Sequence, residues 1–260
     1  YTGRRVLAAI PTMLAIITVA FFMMRAAPGN PYSTERKLTP AVDASLQAQL
    51  GLDKPLAAQY LEYVGKVVRG DLGPSMQIHD KSVSELLGEG LPVSLTIGGL
   101  AITIGLFFGV MLGVLAAMRQ NSAIDYSAMS VAMIGISIPT FVTGPLLSLI
   151  FGVWLHWFAA GGLDLGRMNF QNIFLPIVTL ALPQIAIISR LMRASMIEVL
   201  RSNSIRTARA KGLSEFRIMV RHALPSSILP VVSSLGPAIV GVITGSFVIA
   251  SVFGLPGVGS

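Results

Sequence analysis

Five uncharged stretches dominate the chain, over residues 6–24, 91–118, 126–155, 168–189 and 223–260, and no Asp, Glu, Lys or Arg interrupts any of them. Each is long enough to cross a bilayer, whose hydrocarbon core of about 30 Å takes ~20 helical residues. The third stretch is long for one crossing. Two crossings hinged at Gly144 and Pro145 would each reach only about 22 Å at ~1.5 Å per residue, so one crossing with an interfacial entry is expected. Arg4 and Arg5 before the first stretch, and Ala26 and Ala27 after it, superficially resemble a signal peptide. Its apolar run exceeds the ~7–15 residues of a cleavable leader, so it is read as a retained first helix. The predicted fold is all-α, a polytopic transmembrane helical bundle.

Loop charges orient these crossings. Five crossings from Arg4 and Arg5 inside place residues 119–125 and 190–222 on the same side. Those segments hold Arg119, Arg190, Arg193, Arg201, Arg206, Arg209, Lys211, Arg217 and Arg221. The long loop 26–90 sets Arg36, Lys37, Lys54, Lys66, Arg69 and Lys81 against Glu35, Asp43, Asp53, Glu62, Asp71, Asp80, Glu85 and Glu89. Basic segments therefore stay inside, as positive-inside topology requires, and the N-terminus is expected in the cytoplasm of an inner-membrane protein. The expected divisions are an N-terminal transmembrane helix at 1–25, a periplasmic helical loop at 26–90, and a core domain at 91–260.

Composition agrees. The 260 residues are 53% hydrophobic and 12% charged, with mean hydropathy +0.73; too little polar surface remains to cover a soluble core. The net charge of +7 is scattered between apolar runs and forms no single basic face, so nucleic acid is not an expected partner. With no cysteine, disulfides and thiolate chemistry are excluded.

Loop 26–90 is itself patterned. Pro40 after Thr39 marks a helix start, a second run covers 55–69 and ends at Gly70, and Ser82-Val-Ser-Glu85 fits a capping box opening a short helix before the second span. Within the spans, Gly105, Gly109 and Gly113 recur every fourth residue, and Gly241 and Gly245 repeat the spacing. Small residues so placed let helix backbones meet, for packing within the bundle or with a partner helix, or for a sliding interface. Pro11, Pro139, Pro145, Pro176, Pro183, Pro230 and Pro237 lie in or at the ends of spans and can kink them. Ser94, Thr96, Thr140, Gln184 and Thr244 are the polar candidates for a translocation path, each equally able to satisfy its hydrogen bonds between helices.

Several chemistries lack their residues. His79, His156 and His222 lie outside the apolar stretches, with no carboxylate or histidine at ligand spacing, so neither a metal site nor a catalytic site is expected. No phosphate-binding loop Gly-x4-Gly-Lys-Ser/Thr occurs; the glycine-rich run at 254–259 lacks the lysine and is read as a membrane-edge turn. An ion-coupled secondary transporter remains an alternative, weakened in its proton-coupled form because no titratable residue lies inside a span. An intramembrane enzyme would need a nucleophile and base that are missing.

The segment 190–224 is the most distinctive. Met192, Met196, Ile197 and Leu200 recur at helical spacing, so the fourth span is expected to continue as an amphipathic helix. Ser202 to Ser204 interrupt it. A short helix over 205–211 follows, ended by Gly212 as a left-handed cap, and a third over 213–224 re-enters the membrane at Pro225. A basic helix on anionic lipid would look the same by composition.

This segment resembles the signature of the transmembrane subunits of binding-protein-dependent ATP-binding-cassette importers: Glu-Ala-Ala, three residues, Gly, nine residues, Ile-x-Leu-Pro. Arg206-Thr207-Ala208, Gly212 and His222-Ala223-Leu224-Pro225 keep that spacing. Arg replaces Glu, Thr replaces Ala and His replaces Ile, yet Arg-Thr-Ala-Arg-Ala-Lys-Gly-Leu is itself the form of the dipeptide and oligopeptide branch. Phe21-Phe-Met-Met-Arg-Ala-Ala-Pro-Gly29, Gly70-Asp-Leu-Gly-Pro-Ser75, Arg193-Ala-Ser-Met-Ile-Glu-Val-Leu200 and Gly254-Leu-Pro-Gly-Val-Gly259 extend the similarity over nearly the whole chain.

The resemblance implies a permease subunit that moves peptides across the inner membrane with a second permease subunit, two ATP-binding-cassette ATPase subunits and a periplasmic peptide-binding protein. ATP and Mg would be bound by the ATPase subunits, leaving this chain without a cofactor. It also implies that Arg206, Thr207, Ala208, Arg209, Ala210, Lys211, Gly212 and Leu213 form a coupling helix seated on an ATPase. Ala208 and Ala210 would allow close approach, and Arg206, Arg209 and Lys211 would meet carboxylates. A sixth crossing beyond Ser260 is expected from the same resemblance.

Overall fold

A computed structural model describes residues 2–26, 54–75, 81–162 and 168–255. The expected helix start at Thr39 and Pro40, His79, and the glycine-rich run beyond Leu255 lie outside the described residues. The chain divides into two units, Tyr1–Leu86 and Leu87–Ser260.

The first unit is built on α1 (Thr2–Ala26), whose Leu7, Ile10, Met13, Leu14, Ile16 and Val19 side chains are exposed, as lipid-facing positions would be. Helix α2 (Leu56–Val68) packs across its end. Phe21 is buried there among Phe22, Tyr60 and Tyr63, the Tyr60 hydroxyl lies 2.7 Å from that of Thr18, and the Arg25 guanidinium sits over the Phe21 ring. The expected stop at Gly70 is present, with φ +80°. The capping box is also present: Ser82 Oγ accepts from Glu85 N–H at 3.1 Å while Glu85 accepts from Ser82 N–H at 2.9 Å. It opens one continuous helix, α3 (Val83–Met118), which runs through Pro92. The expected short helix is thus the first part of α3 and not a separate element, because the intrahelical bonds resume after the single donor that Pro92 lacks.

The second unit holds the rest of α3 and the remaining helices. Helix α4 (Ala123–Ser137) meets α5 (Thr140–Leu147), which continues into a π-helical turn over Ser148–Trp154, at a bend of 101°. The hinge therefore sits at Ile138 and Pro139; Gly144 and Pro145 lie inside α5. Proline disfavours helical backbone at the residue before it, and Ile138 is extended at φ −93°, ψ 118°. The bent pair runs from one side of the second unit to the other. Asp125 at its start touches Arg193, whereas the segment after Trp154 reaches Gln171 and Phe253 through Ala159 N–H and Gly162 N–H.

Helix α6 (Phe170–Leu200) is the centre of the unit. In its most apolar window 56% of residues are buried, against 33% for α3 and 22% for the last helix. After it come α7 (Asn203–Ala210), α8 (Glu215–Ile218), a π-helical turn over Met219–Ala223, α9 (Leu224–Ser227) and α10 (Leu229–Phe253). Proline at the start of α9 and of α10 fits there because first-turn N–H groups have no intrahelical partner.

Two apolar clusters hold the unit together. Val93, Ile97 and Ala101 of α3 meet Leu175 and Leu180 of α6 and Ile249 and Phe253 of α10 at one end. Ala117, Ile188, Met192 and Met196 meet the α7 to α10 segment at the other. Between them α3 and α6 touch backbone to backbone. A β-carbon on Gly105 would lie 2.7 Å from Gln184 Cβ, one on Gly109 2.8 Å from Ile188 Cβ, and one on Gly113 2.6 Å from Ser189 O. The other glycine pair behaves differently. Among the described residues Gly241 has nothing within 4 Å and Gly245 meets only Leu180 Cδ2 at 3.5 Å, so neither makes a close approach there.

Candidate functional site

The site is the turn after α6, and its shape follows from local sequence. Helix α6 ends at Leu200, Ser202 is extended at φ −69°, ψ 156°, and α7 begins. Gly212 closes α7 with φ +77°, with its N–H bonded to Arg209 O at 2.9 Å and Leu213 N–H reaching back to Ala208 O at 3.3 Å. That pair of bonds is a Schellman motif, which satisfies the last carbonyls and turns the chain sharply.

Tertiary packing decides which face is presented. Ile205 and Ala208 are buried in the cluster formed by Met192, Met196, Ile218, Ala223 and Val231, and Leu213 packs against it. Ala208 is thus 7% exposed and turned inward; its small size lets α7 approach its own bundle. Ala208 and Leu213, both expected at the docking face, pack here against this chain's own core, with Leu213 half-buried. Arg206, Thr207, Arg209, Ala210, Lys211 and Gly212 form the exposed face. Arg209 is already engaged, donating from Nε and Nη2 to the two carboxylate oxygens of Glu215 at 2.7 and 3.1 Å. This contact holds the Glu215 carboxyl below its ordinary range and raises the Arg209 guanidinium.

A second feature had no place among the expected site residues. Arg193, eight residues before Arg201, donates from Nε and Nη2 to the two oxygens of Asp125, each at 2.5 Å. Asp125 is 1% exposed and also accepts from Asn121 N–H at 2.9 Å, while Ser122 Oγ caps the helix by accepting from Asp125 N–H. Removing Arg193 would leave the buried Asp125 carboxylate without its ionic partner, which is unfavourable. Arg201 Nη2 donates to Gln120 Oε1 at 3.0 Å, a second link from the same turn to the end of α6. The Ser122-x-x-Asp125 spacing was the local sign of a cap, but nothing local pointed to Arg193.

The five polar path candidates are not brought together. Ser94 is buried in a narrow crevice beside Ser246, Gln184 is the side chain beneath Gly105, and Thr140 opens α5 after Pro139. Thr96 and Thr244 are exposed, donating to the carbonyls of Pro92 and Val240. A cleft of about 450 Å³ lies instead at the other end of the unit, among residues such as His156, Trp157, Ala160 and Gln171. None of the five lines it.

The architecture has solved counterparts. An inward-facing methionine ABC transporter, MetNI, superposes with a TM-score of 0.56 at 19% identity over 67% of this chain and 77% of that one. An amino acid ABC transporter with histidines gives 0.52 at 23% identity over 68% and 75%. Sequence relatives are nearer. The oligopeptide transport system permease protein OppB of Escherichia coli K12 is 50% identical over 256 residues, covering 98% of this chain and 83% of that protein. The dipeptide transport system permease protein DppB of Bacillus subtilis is 43% identical over 259 residues, covering 100% and 83%. Residues 1–94 match the N-terminal component of binding-protein-dependent transport system membrane proteins. With residues 109–260 matching the core component as well, the chain belongs to the family of binding-protein-dependent transport system inner membrane components.

Proposed function

We propose that this chain is the peptide-translocating permease subunit of an ATP-driven importer, working with a second permease subunit, two ATPase subunits and a periplasmic peptide-binding protein. The relatives named for oligopeptide and dipeptide transport support the cargo. The observation that carries the docking role is α7 itself: a short helix with a rigid left-handed cap, buried on one face and bearing exposed Arg206 and Lys211 on the other. Such a knob can enter a groove without unfolding. ATP and Mg belong in this reading to the ATPase subunits.

Orientation follows from the same reading. Arg4 and Arg5 lie in the cytoplasm, together with the turn at 119–125 and the segment 190–224, and loop 26–90 faces the periplasm, between the transmembrane helix at 1–25 and the core at 91–260. ATP binding closes the ATPase pair and favours one of two packed arrangements of the bundle. Force enters through α7 and reaches α6, which the buried cluster around Met192 and Met196 makes continuous with it.

The test is reconstitution of the whole complex in proteoliposomes with a labelled oligopeptide and its binding protein. Uptake is expected only with ATP on the α7 side. Uptake at full rate in vesicles lacking ATP and the ATPase subunits, driven by an ion gradient, would overturn the proposal.

A further inference from the structure

The turn between α3 and α4 is tied to α6 by two side-chain links whose placement the docking role does not by itself require. Each carboxylate oxygen of Asp125 takes a bond from Arg193, and Gln120 takes one from Arg201. The two arginines lie about 12 Å apart along the helix at ~1.5 Å per residue, and α7 starts two residues after Arg201. The turn between the links is stiff. Asn121 holds a left-handed φ of +61° with its N–H on Asp125, and Ser122 N–H bonds Arg119 O at 3.1 Å. Beneath it, Gly113 brings α3 against the Ser189 to Arg193 backbone.

Stability alone is a poor account of this pair, since well-packed apolar residues serve a buried site as well or better. What a bidentate guanidinium adds is direction and register. The first turn of α4 is thereby fixed to the end of α6. The rest of the crossing departs by 101° at Ile138 and Pro139, where the broken hydrogen-bond ladder is easiest to flex.

We infer that Asp125 and Arg193 form a positioning pair that carries movement of the α7 turn into the bent α4 and α5 crossing. The inference rests on the importer reading above. When α7 is displaced, the pair makes the start of α4 follow α6, and the bend at Pro139 converts that into a change of angle of α5.

The assembled transporter in proteoliposomes tests this, with peptide uptake and ATP hydrolysis measured on the same vesicles. Asp125→Leu with Arg193→Met removes the link without leaving a buried orphan charge, so assembly is retained. The peptide moved per ATP hydrolysed is expected to fall about tenfold, within the usual range of coupling between sites. Arg193→Lys, which keeps the charge and loses the two-pronged contact, is expected to give an intermediate ratio. A ratio equal to wild type in either variant overturns the inference. Wild-type vesicles that hydrolyse ATP yet import no peptide would overturn the importer reading instead, so the two failures are distinguishable.

Discussion

A β-carbon on Gly113 would lie 2.6 Å from the carbonyl oxygen of Ser189, so α3 and α6 meet there through their main chains. In a bilayer no hydrophobic effect draws helices together, and small residues supply the contact area that replaces it.

The first prediction follows from this contact. Gly113→Val must push apart two backbones that have no side chain to yield, and overpacking of this kind costs about 1–3 kcal/mol. The thermal midpoint of the detergent-solubilised chain is expected to drop. Gly241→Ala, where an added methyl meets nothing within 4 Å, is expected to leave it unchanged. Equal midpoints for both variants would refute the packing argument.

Gly212 makes a different prediction, because its constraint is conformational. Nothing crowds a β-carbon there, but its φ of +77° costs an L residue roughly 1–2 kcal/mol. Gly212→Val should therefore insert normally in the membrane while losing the sharp turn after α7. Peptide uptake per ATP is the quantity to measure, and uptake at the wild-type ratio would remove the docking role.

Charge on the exposed face of α7 can be separated residue by residue. Arg206→Glu with Lys211→Glu is expected to abolish co-purification of the ATPase at moderate salt. Arg209→Ala should have the smaller effect, since its guanidinium is already satisfied by Glu215. The reverse ranking in a pull-down would show that Arg209 leaves Glu215 on docking.

The Arg209 and Glu215 contact also sets a pH dependence. The folded Glu215 carboxyl is held below its ordinary value, so the folded state gains from it above the unfolded value and loses that gain as pH falls through the lower folded value. The opposite trend would require a raised carboxyl. Hydrogen exchange over residues 209–215 is expected to quicken in that acid window, and Glu215→Gln should remove the change.

By itself the sequence determined the long apolar helices, the stop at Gly70, the left-handed cap at Gly212, and the Ser82 and Glu85 cap, because each depends on the length of an apolar run or on the conformation of a few adjacent residues. The elbow of the third crossing was nearly legible. Pro139 and Pro145 are both helix breakers, but Pro145 lies inside α5 and only Pro139 follows an extended residue.

Tertiary structure decided the rest. It turned Ala208 inward, left Gly241 open, and joined Asp125 to Arg193 across 68 residues. A helix presents several faces of similar composition, and which one is buried depends on the partner that packs there. Long-range pairing of a lone carboxylate with one of several arginines carries no local signal, so it exists only once α4 and α6 are side by side.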